Sequence, residues 1–126
     1  MKHFFTLAFL FVALTSFNKY IGIDDVIAAM KTGNASTVAK FFDNSVEISM
    51  PDKSNSYSKS QAELVLKDFF ASNPVKSFEI IHKGENAGSQ YCIGTLQTKS
   101  GAYRTTIFMK QKGERQVLQE LRFENR

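Results

Sequence analysis

Gly33-Asn34-Ala35-Ser36-Thr37-Val38-Ala39-Lys40-Phe41-Phe42-Asp43-Asn44-Ser45-Val46-Glu47-Ile48-Ser49-Met50 holds the change of period on which the fold turns. Gly33 is a natural helix stop. Asn34 then caps a new helix, because its side-chain oxygen can accept a free backbone N–H of the first turn. Val38, Phe41 and Phe42 fall on one face of a helix predicted over about 35–42. Asp43-Asn44 turns the chain. Val46-Glu47-Ile48-Ser49-Met50 alternates strictly, the mark of a half-buried strand, and Pro51 ends it.

Upstream, Ile23, Val26, Ile27 and Met30 share one helical face, so a first helix is predicted over about 24–32. Asp24 and Asp25 sit in its first turn, where carboxylates suit the positive end of the helix dipole. Downstream, 51–57 reads as a polar loop. Ser58 and Gln61 make a capping box for a third helix over about 59–72. Ala62, Val65, Leu66, Phe69 and Phe70 form its apolar stripe, and Asn73-Pro74 stops it. Strands are then predicted over about 75–83, 90–98, 102–112 and 115–124, with turns at 84–88, Ser100-Gly101 and Gly113. Short connections between consecutive strands predict an antiparallel meander. The fold class is α+β, in the order α-α-β-α-β-β-β-β.

Length and composition fit one such domain: 126 residues, 43% hydrophobic and 22% charged. Phe occurs 12 times and Trp not at all, which predicts a Phe-rich core. The net charge is +4, but Lys and Arg are scattered. Lys110, Lys112 and Arg115 surround a turn and read as a solvated hairpin tip, so no nucleic-acid surface is expected. Cys92 is the sole cysteine, which excludes an intramolecular disulfide and a thiolate metal cluster. It reads as a small buried hydrophobe.

Residues 1–17, MKHFFTLAFLFVALTSF, have the layout of a secretory signal peptide: Lys2 and His3, an apolar run from Phe4 to Leu14, then small residues. The run is too short for a bilayer span, which takes roughly 20 residues. The mature chain is expected to begin near Phe17 to Tyr20 and to fill 18–126, without an integral membrane segment. Its place would be the periplasm or the cell exterior.

The stretch from Gly33 to Ile48 resembles the second helix, the "FF-acidic" turn and the first strand of the nuclear transport factor 2-like superfamily. Lys59-Ser60-Gln61-Ala62 through Phe69-Phe70 resembles its third helix. The likeness covers about 22–124. A closer resemblance is to a family of exported proteins from Bacteroidetes-type bacteria with no assigned function. The superfamily resemblance implies a cone: a curved sheet wrapped around the helices. Its members include ketosteroid isomerases, dehydratases, polyketide cyclases and non-catalytic binding or dimerisation modules, so fold does not settle function.

Alternation divides each strand into two faces. Phe78, Ile80 and His82 share one, as do Tyr91, Ile93, Thr95 and Gln97. So do Tyr103, Thr105, Ile107 and Met109, and Val117, Gln119, Leu121 and Phe123. These are expected to line the concave side. Glu47, Glu79, Lys83, Arg104, Lys110, Glu120, Arg122 and Glu124 are expected outside. A β-bulge would flip these assignments.

The expected interior therefore contains no Asp or Glu. His82 stands alone near a strand end, which fits an exposed histidine better than a general base, and Tyr103 fits a rim tyrosine better than a donor. No metal site is expected from His3, His82 or Asp52 with its loop oxygens, and no cofactor is implied. Three functions stay open. The first is a non-catalytic module binding a small apolar ligand or a partner. Its pocket would be lined by Phe78, Ile80, Tyr91, Ile93, Tyr103 and Ile107, with Thr95, Thr105 and Gln119 orienting the ligand. The second is a structural module, a homodimer formed through the sheet. The third is an isomerase or dehydratase using His82 and Tyr103.

Overall fold

The computed structural model describes residues 22–126. The leader segment expected over 1–17 lies outside them. Helix α1 (Ile23–Thr32) buries Ile23, Val26, Ile27, Ala29 and Met30. It ends at Gly33, whose φ of 66° is left-handed, a conformation that suits glycine. Asn34 caps α2 (Ala35–Ala39) by accepting the Thr37 N–H at 3.1 Å. This helix stops earlier than its period suggests. Phe42 already opens strand β1 (Phe42–Ser49), and the Phe41 carbonyl accepts the Leu118 N–H at 2.6 Å. Pairing with a distant strand outweighs the local helical preference of two phenylalanines.

The loop expected at 51–57 holds a further strand, β2 (Ser54–Ser58). Ser-Asn-Ser-Tyr-Ser has no apolar alternation. Its extended form comes from antiparallel pairing with β1, Ser45 opposite Ser58 through Ser49 opposite Ser54. Helix α3 (Lys59–Ser72) carries the expected capping box at Ser58 and Gln61 and buries Ala62, Leu66, Phe69 and Phe70. The Asn73 backbone and side-chain amides both donate to the Phe69 carbonyl, closing the helix end.

Strands β3 (Val75–Asn86), β4 (Ser89–Thr98), β5 (Gly101–Lys112) and β6 (Arg115–Asn125) form the antiparallel meander. The sheet order is β2-β1-β6-β5-β4-β3. The α+β class therefore holds, with two amendments: β2 adds a strand between β1 and α3, and β1 runs parallel to β6. Helix α1 packs over β3 and β4, and α3 over β1, β2 and α2. The face under the helices, here the inner face, meets them in one core that includes Val26, Met30, Leu66, Leu96, Ile107 and Phe123. The ladders are interrupted at Lys76 and Ile81 of β3 and at Gln119 of β6, and the β1–β6 register shifts between Phe42 and Glu47. Among the described residues no helix is long and apolar enough to cross a membrane.

Candidate functional site

Strand β5 presents Tyr103, Thr105, Ile107 and Met109 inward as expected, with the last three buried. On β4 the expected parity is inverted. Cys92 lies opposite Ile107, Gly94 opposite Thr105 and Leu96 opposite Tyr103, so these β4 residues line the inner face. Tyr91, Ile93, Thr95 and Gln97 face outward, paired with Phe108, Thr106, Arg104 and Ala102. The reason is local volume. A Cβ on Gly94 would stand 2.6 Å from the Phe78 ring and 2.6 Å from the Glu79 carbonyl oxygen. Phe78 lies over Gly94 and fills the space that a larger residue would need.

The bulges displace the other expected pocket residues. Ile80 is level with Gly94 but reaches past the helices and is 46% exposed. After the bulge His82 sits opposite Ile93, on the outer face, and Lys83 opposite Cys92, on the inner face. On β6 Met109 pairs with Leu118 and Lys110 with Val117, so Val117 faces away from the core and Gln119 falls in the bulge. The candidate lining residues thus split: Phe78, Tyr103, Thr105 and Ile107 lie inside, whereas Tyr91, Ile93 and Thr95 lie outside.

His82 and Tyr103 have different partners. His82 Nε2 is 2.7 Å from the Tyr91 hydroxyl on the outer face. The Tyr103 hydroxyl donates to Asn73 Oδ1 at 2.9 Å, and its ring packs edge-on to Phe69. Thr105 Oγ1 is fully buried and donates to the Tyr103 carbonyl at 3.3 Å. The Tyr103 and Thr105 hydroxyls are thus engaged within the protein. The inner face itself is filled, with Phe69 stacked on the buried Phe123.

Two features are not singled out by the sequence, the contacts of Asp43 and the Lys83–Asp24 pair. Asp43, read as a turn residue, accepts hydrogen bonds from Lys112 Nζ at 2.9 Å, Gln119 Nε2 at 3.1 Å and the Asn44 N–H at 2.8 Å. The Lys112 ammonium is the largest influence holding its carboxyl below the ordinary aspartate range. Lys83 pairs with Asp24 at 2.7 Å, which raises the lysine's affinity for its proton. Burial pushes the Cys92 thiol up to about 11. No spacing in the chain marks Asp43, because its partners are 69 and 76 residues away. Among the described residues no group of three or more His, Cys, Asp and Glu side chains is placed to hold a metal ion.

The surface carries open grooves. One of about 340 Å³ runs between the Met50–Lys53 turn and the end of α3, with Met50, Val65 and Phe69 among its lining. Phe69 separates it from Phe123 beneath. A second groove lies between the Gly33 turn and Phe70 of α3.

Residues 23–124 match the family described as Domain of unknown function (DUF4783). The chain belongs to this family. A DUF4783 protein from Bacteroides uniformis ATCC 8492 is 29% identical, with a TM-score of 0.79, covering 82% of this chain and 95% of that one. One from Bacteroides ovatus ATCC 8483 is 27% identical, with a TM-score of 0.78, covering 81% and 93%. An NTF2-like protein of unknown function from Cytophaga hutchinsonii ATCC 33406 shares the fold at 10% identity and a TM-score of 0.58, covering 80% and 83%. No curated protein matches the chain. The resemblance to nuclear transport factor 2-like folds and to a Bacteroidetes family without assigned function therefore holds for this DUF4783 chain.

Proposed function

We propose that this DUF4783 chain is a non-catalytic interaction module that works as a homodimer built through its sheet. It would act outside the cytoplasm after losing residues 1–17, whose basic start and short apolar run support export. One observation carries the reading: apolar side chains fill the inner face under the helices, while other large apolar groups of the sheet stay exposed or only partly buried. Thr105, Ile107, Met109, Leu121 and Phe123 have no exposure, so a ligand would have to displace packed side chains. Ile80 and Ile81 are 46% and 54% exposed, and Tyr91, Ile93 and Phe108 are only partly buried. Monomeric domains seldom leave such groups together, and contiguous ones mark contact surfaces.

Against catalysis stand the separate partners of His82 and Tyr103. An acid–base pair needs both groups within reach of one substrate, and here one engages Tyr91 outside and the other Asn73 beside α3. Native mass spectrometry of the protein purified from its host's envelope tests the reading. The expected species is a dimer without a bound small molecule. A monomer that retains an apolar ligand, or that turns over a substrate lost on His82→Ala, would overturn it.

A further inference from the structure

We propose that two copies join edge to edge through β3, with a two-fold axis passing between Ile80 and Ile81. The inference rests on the homodimer reading and adds its geometry. Strand β3 ends the sheet, so its outer edge has no strand partner among the described residues. It is 12 residues long, and most of its side chains are exposed. A free edge is a template for another strand. Edges that stay single are shielded by charges, prolines, bulges or short length. Here the edge carries a bulge at Ile81, yet adjacent isoleucines stand uncovered at that bulge, where a shielded edge would place charge.

The bulge fixes the register. Before it, Phe78 and Ile80 lie opposite Leu96 and Gly94, on the inner face, and Glu79 lies opposite Thr95, on the outer. After it the parity flips: Lys83 opposite Cys92 is inner, while His82 opposite Ile93 and Gly84 opposite Tyr91 are outer. Antiparallel self-pairing of one edge needs a two-fold axis normal to the sheet, and such an axis keeps inner faces with inner faces. In a regular strand that rule forbids an axis between two adjacent residues. Across this bulge it is satisfied. Phe78 meets the partner's Lys83, both inner, and Glu79 meets the partner's His82, both outer. Ser77 meets the partner's Gly84, both outer, and Ile80 meets the partner's Ile81 at the centre. A shift of one residue sets Glu79, outer, against the partner's Lys83, inner. A shift of two in the direction that keeps the faces places Ile80 against the partner's Lys83.

The register is thus the one in which the isoleucines cover each other and Glu79 meets an imidazole. Cross-strand apolar pairs are among the contacts that stabilise sheets. The product is one continuous sheet with the two sets of helices on the same side.

Sedimentation equilibrium of the protein, made with its own N-terminus, tests this. The wild type is expected to be dimeric. Ile81→Asp is expected to weaken the dimer at least tenfold, with a thermal midpoint equal to the wild type's at concentrations where both are monomeric, and Leu64→Asp, on the exposed side of α3, to leave the dimer intact. A mixture of Ile80→Cys and Ile81→Cys chains should form a covalent heterodimer on oxidation. Buried Cys92 should not contribute to that product. A dimer indifferent to Ile81→Asp and without the cross-link would overturn the edge pairing and leave the homodimer reading standing. A wild-type monomer would overturn both.

Discussion

Phe69 lies on Phe123 with ring centroids 4.3 Å apart and planes 25° from parallel. Phe69 comes from the third helix and Phe123 from the last strand, so this stack ties helix to sheet where the inner face approaches the surface. Truncating a buried phenylalanine removes its transfer energy and leaves a cavity, together ~3–5 kcal/mol. Phe69→Ala is expected to lower stability by about 3 kcal/mol, the low end, because the site opens onto a groove. Urea denaturation measures it, and a loss below about 1 kcal/mol would show that the stack carries little. Benzene is expected to raise the midpoint of the variant and not of the wild type.

Gly94→Ala places a methyl 2.6 Å from both the Phe78 ring and the Glu79 carbonyl oxygen. Overpacking costs ~1–3 kcal/mol even where side chains can move, and a strand carbonyl moves little. Gly94→Ala is therefore expected to cost at least about 2 kcal/mol. Phe78→Ala in the same chain is expected not to restore stability, since the carbonyl clash remains. Recovery in the double variant would mean that the ring alone sets the limit.

Asp43 supplies a pH dependence with a definite sign. Its folded-state carboxyl titrates below the ordinary value because Lys112, Asn44 and Gln119 bind the charged form. The contribution is present above the unfolded aspartate value of ~4 and is lost as pH falls through the lowered folded value. Asp43→Asn is expected to flatten the fall of the thermal midpoint below about pH 4. At pH 7 the loss should be on the order of 0.5–1 kcal/mol, since Lys112 is largely exposed. An unchanged acid limb would refute the assignment.

Cys92 has no exposed surface, and its thiol is pushed up to about 11. Thiolate is the reactive form, so native protein at pH 8 is expected to resist iodoacetamide. Labelling should follow the fraction unfolded as urea rises, coincident with circular dichroism. Labelling within minutes in buffer would show that β4 opens locally.

How far the sequence carried can be judged strand by strand. The capping box at Ser58 and Gln61, the Asn34 cap and the α3 stripe are local, so they were readable. β5 was also readable, because Thr105, Ile107 and Met109 alternate without interruption. β4 was not. Tyr91 and Ile93 look like core residues, and only the place of Phe78 shows why the inward set must be Cys92, Gly94 and Leu96. β2 was invisible because β1, and not its own residues, makes it a strand. The same limit applies to the candidate site. The approach of His82 to Tyr91 depends on a bulge that no periodicity announces, and bulges at Ile81 and Gln119 moved candidate residues out of the expected pocket.

The parallel pairing of β1 with β6 sets an order of events. β6 follows every other element, yet it lies between β1 and β5 and joins the first strand to the meander. Neither half of the sheet can close onto the other until Leu118 and Leu121 have emerged. Contacts so distant along the chain form slowly. A polypeptide of this design completes its sheet only when its last strand is available to bridge the two parts.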